Sequence, residues 1–213
     1  MIIIISFLGV DLPIKTQEYI HHFFEKNSGK NYMNFDKDID IDKYVRQRIK
    51  EYHVLQNRIP TKFKILEKLV KLLEKLIISM QKIINIDRTQ NCDKKFYKGA
   101  NWISITNEMA KYIIENEEFI KRFFYKSLCA DEMFVQTIAM NSPYKETIED
   151  TSLRLVDWKR GRPYTWRKQD FEEIINSKKL WARKFSEKVD EEIIEQIYDY
   201  ILSENAKSRG IYN

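Results

Sequence analysis

The chain has 213 residues, a formal net charge of +5 and 43% hydrophobic side chains. That length and composition support a domain with a real core. The mild charge, mixed in both signs, suits anionic ligands such as nucleotides and argues against a nucleic-acid-binding domain, which needs a stronger, clustered basic face.

The two cysteines, Cys92 and Cys129, have neither metal-ligand spacing nor a framework pattern, so a reduced, intracellular protein is expected. The first ten residues are apolar but too short to cross a bilayer, and they lack the charged start and cleavage site of a signal peptide. Residues 2–8 form a run rich in isoleucine that predicts a central parallel strand, buried on both faces. Gly9 and Pro13 break it. Asp11 sits in the loop that follows, where ligands gather in an open parallel sheet and where aspartates also simply stabilise turns.

Residues 17–26 predict a helix with Tyr19, Ile20, Phe23 and Phe24 inward, closed by Gly29. His21 and His22 are adjacent, so they point different ways and read as surface or packing residues. A short strand is expected over residues 32–35. The acidic run 36–42 carries overlapping Asp-x-Asp patterns of the kind that hold a hard cation, but it reads better as a solvated loop. Arg46 and Arg48 lie two apart and would share a face on a strand, which makes them candidate ligand contacts, with surface arginines as the alternative. Residues 60–84 predict the longest helix, with Leu66, Leu69, Val70, Leu73, Leu76, Ile77 and Met80 at helical spacing. A packed core helix is expected there, in preference to a partner- or membrane-facing one. Residues 85–95 read as a polar loop.

Residues 97–143 are the stretch around which the rest is organised. An aromatic-rich strand over 98–105 ends at Thr106, a good helix N-cap. A helix follows with Met109, Ala110, Ile113 and Ile114 on one face. A loop then leads to Asp131 and Glu132, read as the first residues of a helix whose inner face is Phe134, Val135, Ile138 and Ala139, and which Asn141-Ser142-Pro143 stops. A carboxylate at such a helix start is favoured in its ionised form by the helix dipole. After Pro143 come a strand over 153–158, a basic aromatic loop over 159–168, a short helix over 169–176, a last strand within 180–185 and a terminal helix over 190–202. Asp190 is its cap, with Ile193, Ile194, Ile197 and Ile201 inward.

Several short pieces occur in a fixed order. They are Gly9-Val10-Asp11-Leu12-Pro13-Ile14, Lys98-Gly99-Ala100-Asn101-Trp102, Tyr112-Ile113-Ile114-Glu115-Asn116, Asp131-Glu132 with Asn141-Ser142-Pro143, Val156-Asp157-Trp158 and Ala182-Arg183-Lys184-Phe185. No one piece is specific, but their order and spacing over nearly the whole chain resemble the core-2/I-branching β1,6-N-acetylglucosaminyltransferase family, which includes the peptide O-xylosyltransferases. The resemblance implies an α/β fold of the GT-A glycosyltransferase type, as one domain over residues 1–213 that combines an acceptor half with a diphosphate-binding C-terminal part. In the family a nucleotide-binding βαβ portion precedes the strand that begins here at Met1, so the fold is expected to be incomplete at its N-terminus.

The function so implied is inverting transfer of N-acetylglucosamine or xylose from a UDP-sugar to a hydroxyl of a glycan or surface-polymer acceptor, without a metal cofactor. No nucleic-acid partner is expected. Localisation is expected to be cytoplasmic, with peripheral association at the inner face of the membrane as an open variant. Glu132 matches the family's catalytic glutamate. Arg183 and Lys184 match a pair aimed at the diphosphate, and Arg162 corresponds to a donor-loop position, with Arg154 serving the same end. Asn101 and Trp102 correspond to a donor-pocket pair that is Asp-Trp in the xylosyltransferase branch. Asp11, Arg46, Arg48 and Asp131 fall on the acceptor side. Guanidinium and ammonium groups can replace a metal at a leaving diphosphate, because the task is charge compensation by directed donors. The alternative is a non-catalytic carbohydrate- or nucleotide-binding remnant of such an enzyme.

Overall fold

The computed structural model describes residues 2–6, 9–37, 40–56, 63–161 and 163–208. They form two compact units, one of residues 1–34, 102–107 and 147–213, the other of residues 35–101 and 108–146. The strands all lie in the first unit and are short. β1 (Ile3–Ile5), β4 (Ser104–Thr106), β3 (Asn31–Met33) and β5 (Ile148–Asp150) make one sheet in the order β1-β4-β3-β5; β2 (Asp11–Pro13), β7 (Trp181–Arg183) and β6 (Arg154–Val156) make another in the order β2-β7-β6. Both sheets are mixed: β1 and β3 run antiparallel to β4 and β3 runs parallel to β5, while β2 runs antiparallel and β6 parallel to β7.

The isoleucine run is therefore not a central parallel strand. Among the described residues β1 is an antiparallel edge strand that pairs only with β4. Its alternation turns Ile3 and Ile5 onto a core of Ile20, Phe24, Tyr32, Leu153, Leu180 and Trp181 and leaves Ile4 43% exposed. The helix α1 (Gln17–Lys26) has the expected bounds. Thr16 caps it by accepting from the Tyr19 amide, and Ile20 and Phe24, one turn apart, are its buried residues, while Tyr19 is exposed. Gly29 follows at φ +84°, a conformation that costs glycine nothing. The short α7 (Phe171–Ile175) and the terminal α8 (Glu192–Ser208) close the unit. Asp190 accepts from the Ile193 amide, and Ile193 and Ile197 are buried with Ile14, Trp166, Ile174, Ala182 and Phe185.

The second unit is helical. α2 (Ile41–Arg48), α5 (Glu117–Phe124) and α6 (Phe134–Met140) share a core of Val45, Ile49, Phe123, Phe124 and Met133. α4 (Asn107–Glu115) buries Met109, Ala110 and Ile113 but leaves Ile114 71% exposed. Two expectations fail here. α5 occupies a stretch expected to be loop. It is only two turns long, and its Phe119, Ile120, Phe123 and Phe124 are too few to announce a helix before Phe123 and Phe124 are seen buried.

The long helix α3 (Lys64–Ile83) exists, but it is not a packed core helix. The start expected at Pro60 lies outside the described residues. The buried residues of α3 are Glu74 and Gln81, while its leucines are exposed. Polar bonds hold it: Leu55 N donates to Glu74 Oε2 at 2.9 Å, and Gln81 exchanges two hydrogen bonds with the Tyr52 backbone at 2.8 and 2.9 Å. Among the described residues no helix is long and apolar enough to cross a membrane.

The His53 ring lies 3.6 Å from Glu74 in the same clasp. Burial lowers its pKa below the ordinary value, and the attraction of Glu74 only partly opposes this. The unfolded chain therefore takes up a proton first as pH falls through about 6.5. Stability from this site is complete above that pH and is lost as pH falls toward the lower folded value. We expect the urea midpoint to drop between neutral and mildly acid pH, and His53→Gln to flatten that slope. Equal slopes in the two proteins would contradict the assignment.

Candidate active site

Glu132 ends a 3-10 turn, Ala130–Glu132, entered through Cys129 at φ +51° and left through Met133 at φ −132°. It does not open α6, and the turn has no side-chain cap. The helix-dipole argument for an ionised Glu132 therefore lapses. Two cations lie beside its carboxylate. Arg48 Nη1 lies 2.6 Å and Lys98 Nζ 3.4 Å from Glu132 Oε2. Lys98, 11% exposed in its side chain, also pairs with Asp36. Burial alone would lower the Lys98 pKa, but the hydrogen bond and charge of Asp36, with Glu132 and Tyr44 behind them, outweigh it and raise the pKa. The Tyr44 ring receives both cations, Arg48 at 4.8 Å and Lys98 at 5.1 Å. Gly99 donates its amide to the Glu132 carbonyl at 2.9 Å, which ties the Lys98 segment to the turn. The Glu132 side chain remains 36% exposed.

The premise that Arg46 and Arg48 share a face fails, because they lie on α2, where residues two apart point roughly 200° apart. Arg48 reaches Glu132, whereas Arg46 extends into solvent, 3.8 Å from Asp40. Asp131 is exposed, accepts from Asn101 Nδ2 at 3.0 Å and lines a cleft of about 680 Å³ with His53, Gln56, Tyr125, Lys126 and Cys129. The acidic run is put to other uses. Asp36 pairs with Lys98, Asp40 caps α2 by accepting from the Lys43 amide at 2.9 Å, Asp42 is exposed, and Asp38 lies outside the described residues. Among the described residues no three His, Cys, Asp or Glu side chains are grouped to hold a metal ion.

The strand unit carries the second cluster. Asp11 lies in β2 opposite Arg183 of β7, not in a loop, and its side chain is 0% exposed. Arg154 Nε approaches Asp11 Oδ2 at 3.3 Å and Arg183 Nε approaches Oδ1 at 3.6 Å. Arg154 also donates to the Ser152 and Ser6 carbonyls and lies 5.3 Å over the Trp181 ring. Burial lowers its pKa and Asp11 partly restores it. The Arg154 side chain is 0% exposed and pairs with the same Asp11 carboxylate that Arg183 approaches.

Arg183 lies 4.3 Å over Trp102, which stacks on Trp158 at 6.4 Å and 23°. Arg183 Nη1 and Trp102 Nε1 are buried donors with no hydrogen-bond partner among the described residues. A buried donor without an acceptor is costly and rare; here one belongs to the guanidinium and the other to the indole beneath it. The neighbouring Lys184 is half-buried and makes no ion pair among the described residues, while Trp158 offers a 59% exposed ring. Arg162 lies outside the described residues. Arg160 of the same loop is committed to Asp157, Asp170 and Glu173.

A family model of the Core-2/I-Branching enzyme matches residues 2–180. The chain belongs to this family. The match takes in Asp11, Asn101, Trp102, Asp131, Glu132 and Arg154 and stops just short of Arg183 and Lys184. Among curated relatives, xylosyltransferase 2 of Rattus norvegicus is 26% identical over 126 residues, 49% of this chain and 14% of that protein. Xylosyltransferase 1 of Homo sapiens is 27% identical over 129 residues, 50% of this chain and 13% of that protein. The chain thus matches only a small part of the length of these relatives.

Within this family member, sequence reading missed Lys98 as a partner of Glu132, the Asp36 contact that holds Lys98, and Trp158 as the ring stacked on Trp102. Lys98 and Trp158 stood in the recurring pieces, but nothing local marks a lysine as the neighbour of a carboxylate far along the chain.

Proposed function

We propose that the protein is an inverting, metal-independent glycosyltransferase that moves N-acetylglucosamine or xylose from a UDP-sugar to a hydroxyl of a glycan or protein acceptor. Membership of the Core-2/I-branching family is the observation that carries this reading. The GT-A-type fold it implies is compatible with the mixed sheets of the strand unit.

Glu132 is the proposed base. It takes the acceptor hydroxyl proton as the oxygen attacks the anomeric carbon from the side opposite the nucleotide; the bond to the β-phosphate oxygen breaks and UDP leaves with the electron pair. Inversion needs one displacement and one base, so one carboxylate suffices. Arg48 and Lys98 hold that carboxylate in place, and Lys98 keeps Asp36 as partner when Glu132 is protonated. Arg183 and Lys184 are proposed to compensate the diphosphate, and Trp102 with Trp158 to wall the donor.

Calorimetric titration with UDP tests the donor side. Affinity should be equal in EDTA and in manganese, because Arg183 and Lys184 are assigned the charge compensation that a metal would otherwise supply. Manganese-dependent binding that Asp38→Ala with Asp40→Ala abolishes would overturn metal independence. Absence of UDP binding under both conditions would overturn the donor assignment.

A further inference from the structure

The helix α3 presents its apolar side outward. Leu66, Leu69, Leu73, Leu76, Met80 and Ile83 alternate at three- and four-residue steps, and Ile65 and Leu72 widen the stripe. These side chains are between 48% and 79% exposed. The polar residues Glu74 and Gln81 face the body instead. The helix carries five lysines and two glutamates. One glutamate, Glu74, is buried and the other, Glu67, pairs with Lys71. Lys68, Lys75 and Lys82 stand seven apart, so they fall on one edge of the stripe, and all three are exposed. No acidic side chain shares that edge.

We propose that α3 docks the protein on an anionic lipid surface, its leucine stripe entering the headgroup boundary and its lysine edge meeting the lipid phosphates. Exposed apolar surface of this length marks an interaction site, and a wide apolar arc beside a purely cationic edge complements such a surface. The charged residues make α3 a helix that lies on a bilayer and does not cross it. A second copy fits less well. Antiparallel pairing through the stripe would set the lysine edge against itself, and the positions that carry opposite charges in coiled coils are here apolar Ile65, Val70, Leu72 and Ile77. This inference is independent of the sugar-transfer reading.

Co-sedimentation with phosphatidylcholine vesicles, with and without phosphatidylglycerol, tests it. The protein should sediment with the anionic vesicles and far less with the neutral ones. Replacing Lys68, Lys75 and Lys82 by glutamine should weaken binding by about 100-fold, near fivefold for each lysine. Leu69→Asp with Leu76→Asp should abolish it and leave the circular dichroism spectrum unchanged, since both positions are exposed. Protein left in the supernatant, or unweakened binding by either variant, would overturn the proposal. So would a dimer in sedimentation equilibrium that the aspartate variant splits, because a second copy would then cover the stripe.

Discussion

Glu132→Gln should lower sugar transfer by about two to four orders of magnitude, the usual contribution of a positioned general base. Glutamine keeps the size of the side chain but cannot take the acceptor proton. UDP affinity should be unchanged, because Glu132 is assigned to the acceptor and not the diphosphate. The substitution also removes the ion pairs with Arg48 and Lys98. The side chain is 36% exposed, so that loss should cost about 1 kcal/mol of stability or less. Asp131→Asn should behave differently. Asp131 is exposed and caps nothing, and asparagine can still bond Asn101, so stability and turnover should change little. If Asp131→Asn abolished transfer while Glu132→Gln kept it, the base would be misassigned by one residue.

The second large effect belongs to Arg183. Arg183 is 8% exposed, stacked on Trp102 and paired with buried Asp11. Arg183→Ala strips one of two arginines from a buried carboxylate; Arg154 still compensates the charge, so the loss should stay below about 3–5 kcal/mol, the cost of a buried charge left unpaired. We expect a clear fall in the thermal midpoint, together with UDP binding weakened by roughly 1.5–3 kcal/mol for the lost charge-assisted contact. Lys184→Ala separates the two effects. Its ammonium makes no ion pair among the described residues, so stability should hold while UDP affinity falls. Full UDP affinity in Lys184→Ala and in a still-folded Arg183→Ala would make both residues structural.

How much was legible can be judged element by element. α1 was legible from its apolar period, and α8 from an apolar period with its cap Asp190, although α8 runs on to Ser208, past the end expected at residue 202. The existence of α3 was legible and its orientation was not. Periodicity defines an apolar face but says nothing of whether anything covers it, and here the polar face was needed to satisfy the Tyr52 and Leu55 backbone. The isoleucine run announced a strand, but its place in the sheet depends on pairing with β4, a hundred residues on. The pair Asp131-Glu132 was visible as a piece of a family pattern. The Arg48 that holds Glu132 lies 84 residues away, and no local rule joins them. The role of Asp11 was hidden likewise, because its partners Arg154 and Arg183 come from the last third of the chain.

Sugar transfer by Glu132 is the central claim, and proton NMR of the anomeric signal during turnover tests it most directly. With a donor whose sugar is α-linked to UDP, the protein should form a β-linked product, and Glu132→Gln should form almost none. An α-linked product would mean retention and a second essential carboxylate. Undiminished formation of the β-linked product by Glu132→Gln would show that another group is the base, and the absence of any transfer from a protein that binds UDP would favour the non-catalytic reading.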